Sequence, residues 1–214
     1  DGNVRCALSR VPLLLTPGPL STASDTRLAM QRDWGSRDPA FVDCIARVCE
    51  RLSGLVGAKS CAAVPLQGSG TYAVEAMLGT FVPPRSRLLV LVNGAYGHRM
   101  VALAGRMGRD VVSLVWSEAE PVDVARLDAA LKADPVISHV AAVYCETTTG
   151  LLNPIAEVAD VVARCGRRLL IDAMSALGAL PLERSEVVFD AVAGSANKCL
   201  EGVPGLAFVV AEKE

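Results

Sequence analysis

Seven short apolar runs, separated by stretches of helical periodicity, constrain the fold of this sequence more than any other feature. They are CAAVPL (61–66), RLLVLVN (87–93), DVVSLVW (110–116), HVAAVYC (139–145), RLLIDA (168–173), VFDAVAG (188–194) and LAFVVA (206–211). Most are apolar along nearly their whole length, so strands made from them need cover on both faces. Between them lie YAVEAMLGTF, RMVALAGRMG, VDVARLDAALKAD and IAEVADVVARCG. In the second of these, Met100, Leu103, Ala104 and Met107 recur at helical spacing and Gly108 follows as a stop. Gly166 closes the fourth in the same way. Ahead of the first run, FVDCIARVCERLSGLVGA sets Phe41, Ile45, Val48, Leu52 and Leu55 on one face of a further helix. The alternation predicts an α/β fold, a three-layer α/β/α arrangement around a mostly parallel seven-stranded sheet. No helix separates the last two runs, so the final strand is expected to turn back antiparallel.

The 214 residues, 51% of them apolar, suffice for the core of one large domain. A net charge of −2 with scattered Lys and Arg offers no basic stripe for nucleic acid. Every apolar run is too short for a membrane span. The first twenty residues lack the long apolar region and cleavage site of a secretory signal. The chain opens on Asp1 and not Met, so the natural start is expected upstream. Cys6, Cys44, Cys49, Cys61, Cys145, Cys165 and Cys199 form an odd set with no CxxC pair. They read as small buried hydrophobes in a reducing cytoplasm, not as a disulfide framework. Two isolated histidines, His98 and His139, make a metal site unexpected.

In an open α/β sheet, ligands collect at the carboxyl ends of the strands. Those ends are QGSGT (67–71), NGAYG (93–97), ETTTG (146–150), DAMS (172–175) and SANK (195–198). QGSGT opens a helix, so its amides and hydroxyls can cradle an anion. It also reads as GxGxxA, but a dinucleotide site would need an acidic residue near the next strand end. None occurs from 85 to 95, and a single phosphate fits better. Asp172 closes an apolar strand, where it can cap a turn or hold a protonated ring nitrogen. Lys198 stands at the end of the next strand, although lysine is seldom brought beside a core without a purpose. An anion cradle, a strand-end carboxylate and an amine are together what pyridoxal phosphate requires. Tyr96 can stack on its ring, and Thr147 or Thr148 can reach its phenolic oxygen.

These residues carry a resemblance. The stretches LLLTPGPL (13–20), DWGSRDPAF (33–41), LQGSGTYAVEAMLG (66–79), NGAYGHRM (93–100), ETTTGLLNP (146–154), IDAMSALG (171–178) and SANKCLEGVPGLAFV (195–209) resemble class V aminotransferases of fold type I, in order and over nearly the whole chain. The resemblance implies that Lys198 bonds the cofactor aldehyde and Asp172 pairs with the ring nitrogen. It assigns Ser69, Gly70 and Thr71 to the phosphate, Tyr96 to the ring face, and Thr148 to the phenolic oxygen in preference to Thr147. The run SANKC-x-x-GVPG is particular to the phosphonate-handling members. The implied reaction is therefore 2-aminoethylphosphonate plus pyruvate giving phosphonoacetaldehyde plus alanine, in a cytoplasmic homodimer. An alanine–glyoxylate or serine–pyruvate enzyme, or a truncated non-catalytic cofactor-binding module, remain alternatives. Members of the family continue past the lysine loop into a smaller domain. The expected organisation is an arm over 1–24 and a cofactor-binding large domain over 25–214, with the small domain absent from this chain.

Overall fold

All seven apolar runs become strands of a single sheet in the computed structural model, which describes residues 13–57 and 60–213. The strands are β1 (Cys61–Gln67), β2 (Arg87–Val92), β3 (Asp110–Val115), β4 (Ile137–Val143), β7 (Arg168–Asp172), β8 (Ala191–Ser195) and β9 (Leu206–Glu212). Their spatial order is β1-β9-β8-β7-β4-β2-β3. Six share one direction, and β9 runs antiparallel to both β1 and β8, as expected for a return without a crossover helix. A two-stranded hairpin, β5 (Cys145–Glu146) and β6 (Leu151–Leu152), stands apart from this sheet.

Six helices accompany the strands: α1 (Ser24–Ala29), α2 (Pro39–Gly54), α3 (Gly70–Phe81), α4 (Ala95–Arg106), α5 (Val124–Ala133) and α6 (Ile155–Arg164). Side chains alternate across a strand, so each strand feeds two cores. Leu88, Val90 and Val92 of β2 pack with Val74, Met77 and Leu78 of α3 and Met100 and Leu103 of α4. Leu89 and Leu91 pack on the other face with Leu127 and Leu131 of α5 and Val158 and Val162 of α6. Burying each such side chain removes about 1.5–3 kcal/mol of apolar exposure. This two-sided burial is why the strands read as continuous apolar runs.

Several boundaries differ from the sequence pattern. Helix α4 begins at Ala95, so NGAYG is its first turn and not a loop. Gly97 concealed this: a Cβ there would lie 2.9 Å from Val92 Cα, and the helix needs that glycine to sit on β2. Strand β8 starts at Ala191, later than the pattern implies; just before it, Asp190 still bonds Leu169 and Glu212 through its backbone, and its Oδ2 accepts the Leu169 N–H at 2.9 Å. Helix α2 ends at Gly54, and its expected apolar face is covered only toward its C-terminus. Leu52 is buried there, whereas Ile45 is 39% exposed. The hairpin and α1 carry too few residues to produce a periodicity.

Among the six described cysteines only Cys61 is fully buried; the others are half-buried, which corrects the expectation for them. All six are free thiols, and Cys6 lies outside the described residues together with positions 1–12 of the expected arm. Among the described residues no helix is long and apolar enough to cross a membrane.

Candidate active site

The parallel strands deliver their C-terminal residues to one crevice. Asp172 ends β7 and is 4% exposed; its Oδ1 accepts the Met174 N–H at 3.0 Å. Burial pushes its carboxyl up from the ordinary value of 3.8 to about 6. The Met174 hydrogen bond opposes that rise, Glu146 adds to it, and Arg99 and Lys198 weakly oppose it. Strand β8 ends at the buried Ser195, and the chain then folds into a tight loop that carries Lys198. Gly202 N donates to Ala196 O at 2.7 Å and Glu201 N to Lys198 O at 2.9 Å. A Cβ on Gly202 would approach Ala196 O to 2.9 Å, so this position has no room for a side chain.

Segment 16–20 lies against the loop. Leu20 N donates to Asn197 O at 3.3 Å, and Gly18, at φ +149°, faces the lysine side chain. A Cβ on Gly18 would be 2.3 Å from Lys198 Cδ and 2.8 Å from Nζ. Among the described residues Lys198 forms no ion pair within 4.0 Å.

Opposite Lys198, Ser69 caps α3, its Oγ accepting the Tyr72 N–H at 3.3 Å. Gly70 begins the helix where a Cβ would meet Met174 Sδ at 2.7 Å. Thr71 Oγ1 accepts from Arg99 Nη1 at 3.2 Å, and the Arg99 guanidinium stands 4.7 Å above the Tyr96 ring. Free amides at a helix start, two hydroxyls and a guanidinium make a cradle suited to an anion.

Ser69, Gly70, Thr71, Tyr96, Asp172 and Lys198, six of the seven residues singled out from the sequence, line this crevice together. Thr148 does not. Its hydroxyl donates to Glu146 Oε1 at 3.1 Å, while Thr147 lines the crevice and hydrogen-bonds to Ser175. The reason is the β5–β6 turn, which points successive side chains to different sides. Sequence reasoning also passed over Arg99, Glu146 and Gly18. Arg99 sits one helical turn after Tyr96, a signal hidden by the misplaced start of α4. Glu146 had a visible signal, an acidic residue at a strand end.

The family Aminotransferase class-V matches residues 31–214. A 2-aminoethylphosphonate–pyruvate transaminase of Pseudomonas putida is 51% identical over 207 residues, 96% of this chain and 56% of that protein. The Pseudomonas aeruginosa counterpart is 51% identical over 94% of this chain and 55% of its own length. The chain thus spans about half the length of the curated relatives it matches. Among solved structures, ureidoglycine–glyoxylate aminotransferase from Bacillus subtilis superposes with a TM-score of 0.91 at 25% identity, covering 97% of this chain and 54% of that one. Alanine–glyoxylate aminotransferase from Nostoc sp. gives 0.88 at 28% identity, covering 100% and 58%.

Proposed function

This chain belongs to the aminotransferase class-V family, and from that membership we propose that it serves a pyridoxal-phosphate-dependent transamination of 2-aminoethylphosphonate with pyruvate, yielding phosphonoacetaldehyde and alanine. The observation that carries the reading is one crevice lined by an amine, a buried carboxylate and a helix-start cradle, Lys198, Asp172 and Ser69–Thr71. The choice of amine rests on the 51% identity to the Pseudomonas transaminases.

The residues fit the cofactor. Asp172 is buried and held near pH 6, so it gains from a cation placed beside it. Gly70 has no room for a Cβ against Met174, and Ser69, Gly70 and Thr71 line the crevice at the start of α3, where amides can receive a phosphate. Bound pyridoxal phosphate supplies an aldehyde that condenses with amines and a ring that accepts electrons from the carbon bearing nitrogen.

The chain's own residues do the rest. Ser69, Gly70 and Thr71 hold the phosphate, with Arg99 adding positive charge. Tyr96 packs on the ring, and Thr147, in place of Thr148, serves the phenolic oxygen. Asp172 keeps the ring nitrogen protonated. Lys198 Nζ would bond the cofactor aldehyde at rest and, once free, would serve as the base that takes the proton from the donor carbon bearing nitrogen. Gly18 of segment 16–20 stands against the Lys198 side chain and would restrict its movement. In this reading residues 25–214 form the cofactor domain, 1–24 an arm, and the protein works as a cytoplasmic homodimer.

The test is covalent. Borohydride reduction of the protein with pyridoxal phosphate should place the label on the peptide containing Lys198. Label on Lys59, Lys132 or Lys213 instead would remove the assignment. Alanine formed from 2-aminoethylphosphonate and pyruvate, and not glycine formed from alanine and glyoxylate, would separate the phosphonate reading from its sister activity.

A further inference from the structure

Glu146 is completely buried, yet neither the fold nor the chemistry proposed above uses its charge. It lies at the end of β5, and its two carboxylate oxygens each stand 3.3 Å from the Tyr96 N–H. The first amides of a helix have no partner within the helix. Gly94, the residue that should cap α4, has no side chain to offer. Glu146 supplies the missing acceptor from another element of the fold. Gly94 also makes room for it: a Cβ there would lie 2.2 Å from Glu146 Cγ and 2.4 Å from Cδ. Thr148 donates a third hydrogen bond, to Oε1 at 3.1 Å. The Gly150 N–H bond to Glu146 O at 2.8 Å ties the backbone down, so the side chain is held from both ends.

Burying a carboxylate is costly, and an amide of the same shape could accept the same hydrogen bonds. The charge itself therefore calls for a role. The first turn that Glu146 caps carries Tyr96, and Arg99 follows one turn later; both line the crevice. The groups acting on Asp172 are Glu146 on β5, Arg99 on α4, Lys198 after β8 and the Met174 amide after β7.

We propose that Glu146 is a positioning residue of this crevice: from β5 its carboxylate caps α4 and holds Tyr96 in the wall, and its negative charge, added to that of Asp172, favours a ligand bearing a positive charge at the crevice floor. The proposal rests on the cofactor reading only in taking that ligand to be pyridoxal phosphate with a protonated ring nitrogen. Capping alone would make Glu146 structural; its charge makes it part of ligand selection.

Glu146→Gln keeps the acceptor and the shape while removing the charge. In the cofactor-free protein, the Asp172 side-chain carbon followed by NMR should titrate lower in this variant than its unaltered midpoint near pH 6. Equilibrium dialysis should show pyridoxal phosphate bound about threefold to tenfold more weakly, with little change in melting temperature. Glu146→Ala, which loses cap and charge, should bind at least about tenfold more weakly and melt lower. An unchanged Asp172 midpoint and unchanged affinity in Glu146→Gln would overturn the proposal.

If that variant does not fold, the unaltered protein decides. With the cap in place, the Tyr96 amide of the cofactor-free protein should be protected from hydrogen exchange by the Glu146 carboxylate. Exchange of that amide as fast as an uncapped one overturns the proposal. Failure of the unaltered protein to bind pyridoxal phosphate would instead sink the cofactor reading, while protection of the Tyr96 amide and the Asp172 midpoint still report on Glu146.

Discussion

The two ends of the sheet use the same charged residue types in opposite ways. At the end where the parallel strands begin, the charges pair off. Arg87 opens β2 and binds Asp110 at 2.8 Å and Asp134 at 2.7 Å. Arg168 opens β7 and meets Asp190 at 3.7 Å, and Arg184 meets Glu212, at the end of the reversed β9, at 2.8 Å. These pairs favour the charged forms: Asp134 is held below the ordinary aspartate range chiefly by its hydrogen bond to Arg87. At the other end Asp172, Lys198, Arg99 and Glu146 gather, and among the described residues no ion pair joins them. Asp172 is instead pushed up by burial. One end stabilises itself; the other keeps charges that a ligand would satisfy, the pattern expected of a functional site.

The largest test of this contrast is Asp172→Asn. Under the proposed function the ring nitrogen would lose its partner, and the alanine formation expected of that reading should fall about hundredfold or more. Stability of the cofactor-free protein should move the other way. A carboxyl raised in the fold above its unfolded value helps folding fully below that value, and the help is lost as pH rises through the folded value near 6. At pH 7.5 the buried charge costs on the order of 3 kcal/mol as an upper bound. Asp172→Asn should therefore melt higher than the unaltered protein at pH 7.5 and equal to it near pH 4. A lower melting temperature at pH 7.5 would show that Asp172 is a structural cap, like the charges at the opposite end.

Gly18→Ala probes Lys198 from outside the sheet. An alanine at φ +149° is strained, and its methyl would occupy the space of the Lys198 side chain. Borohydride-trapped label at Lys198 should form about tenfold more slowly. Overall stability should fall by about 1 kcal/mol, which thermal unfolding would report. A normal labelling rate would show that segment 16–20 leaves Lys198 unconstrained.

The smallest effect belongs to Arg87→Gln. Its two ion pairs are partly exposed, so melting should drop slightly at low salt and recover in high salt. Asp134, depressed by Arg87, contributes stability above its unfolded value that is lost on acidification through its folded value. The variant should lose that share of the acid transition and bind pyridoxal phosphate normally. Weakened cofactor binding would mean that the two ends are coupled through the sheet.

The sheet was legible because two-sided burial leaves a long apolar signature, as in Arg87–Val92, where Leu88 to Val92 are all buried. Six crevice residues were legible because strand ends and a helix start mark where ligands collect, and because chemistry limits what Lys198 and Asp172 can do there. The resemblance favoured Thr148 over Thr147, and nothing in the residues themselves could check that choice. They are chemically alike and adjacent, and only the β5–β6 turn sends one to the crevice and the other to Glu146. Arg99 was lost with the start of α4, where glycines erased the apolar period.

Residue type and spacing alone settled the alternating α/β order, the single return strand and the convergence of an amine, a carboxylate and an anion cradle. Each is a local consequence of residue type and spacing. It took the folded arrangement to make Glu146 cap a helix it does not belong to, to set Gly18 against Lys198 across some 180 residues of chain, and to raise the Asp172 carboxyl to about 6. Those properties come from close approach and from exclusion of water. Both depend on distances between segments that no local pattern records.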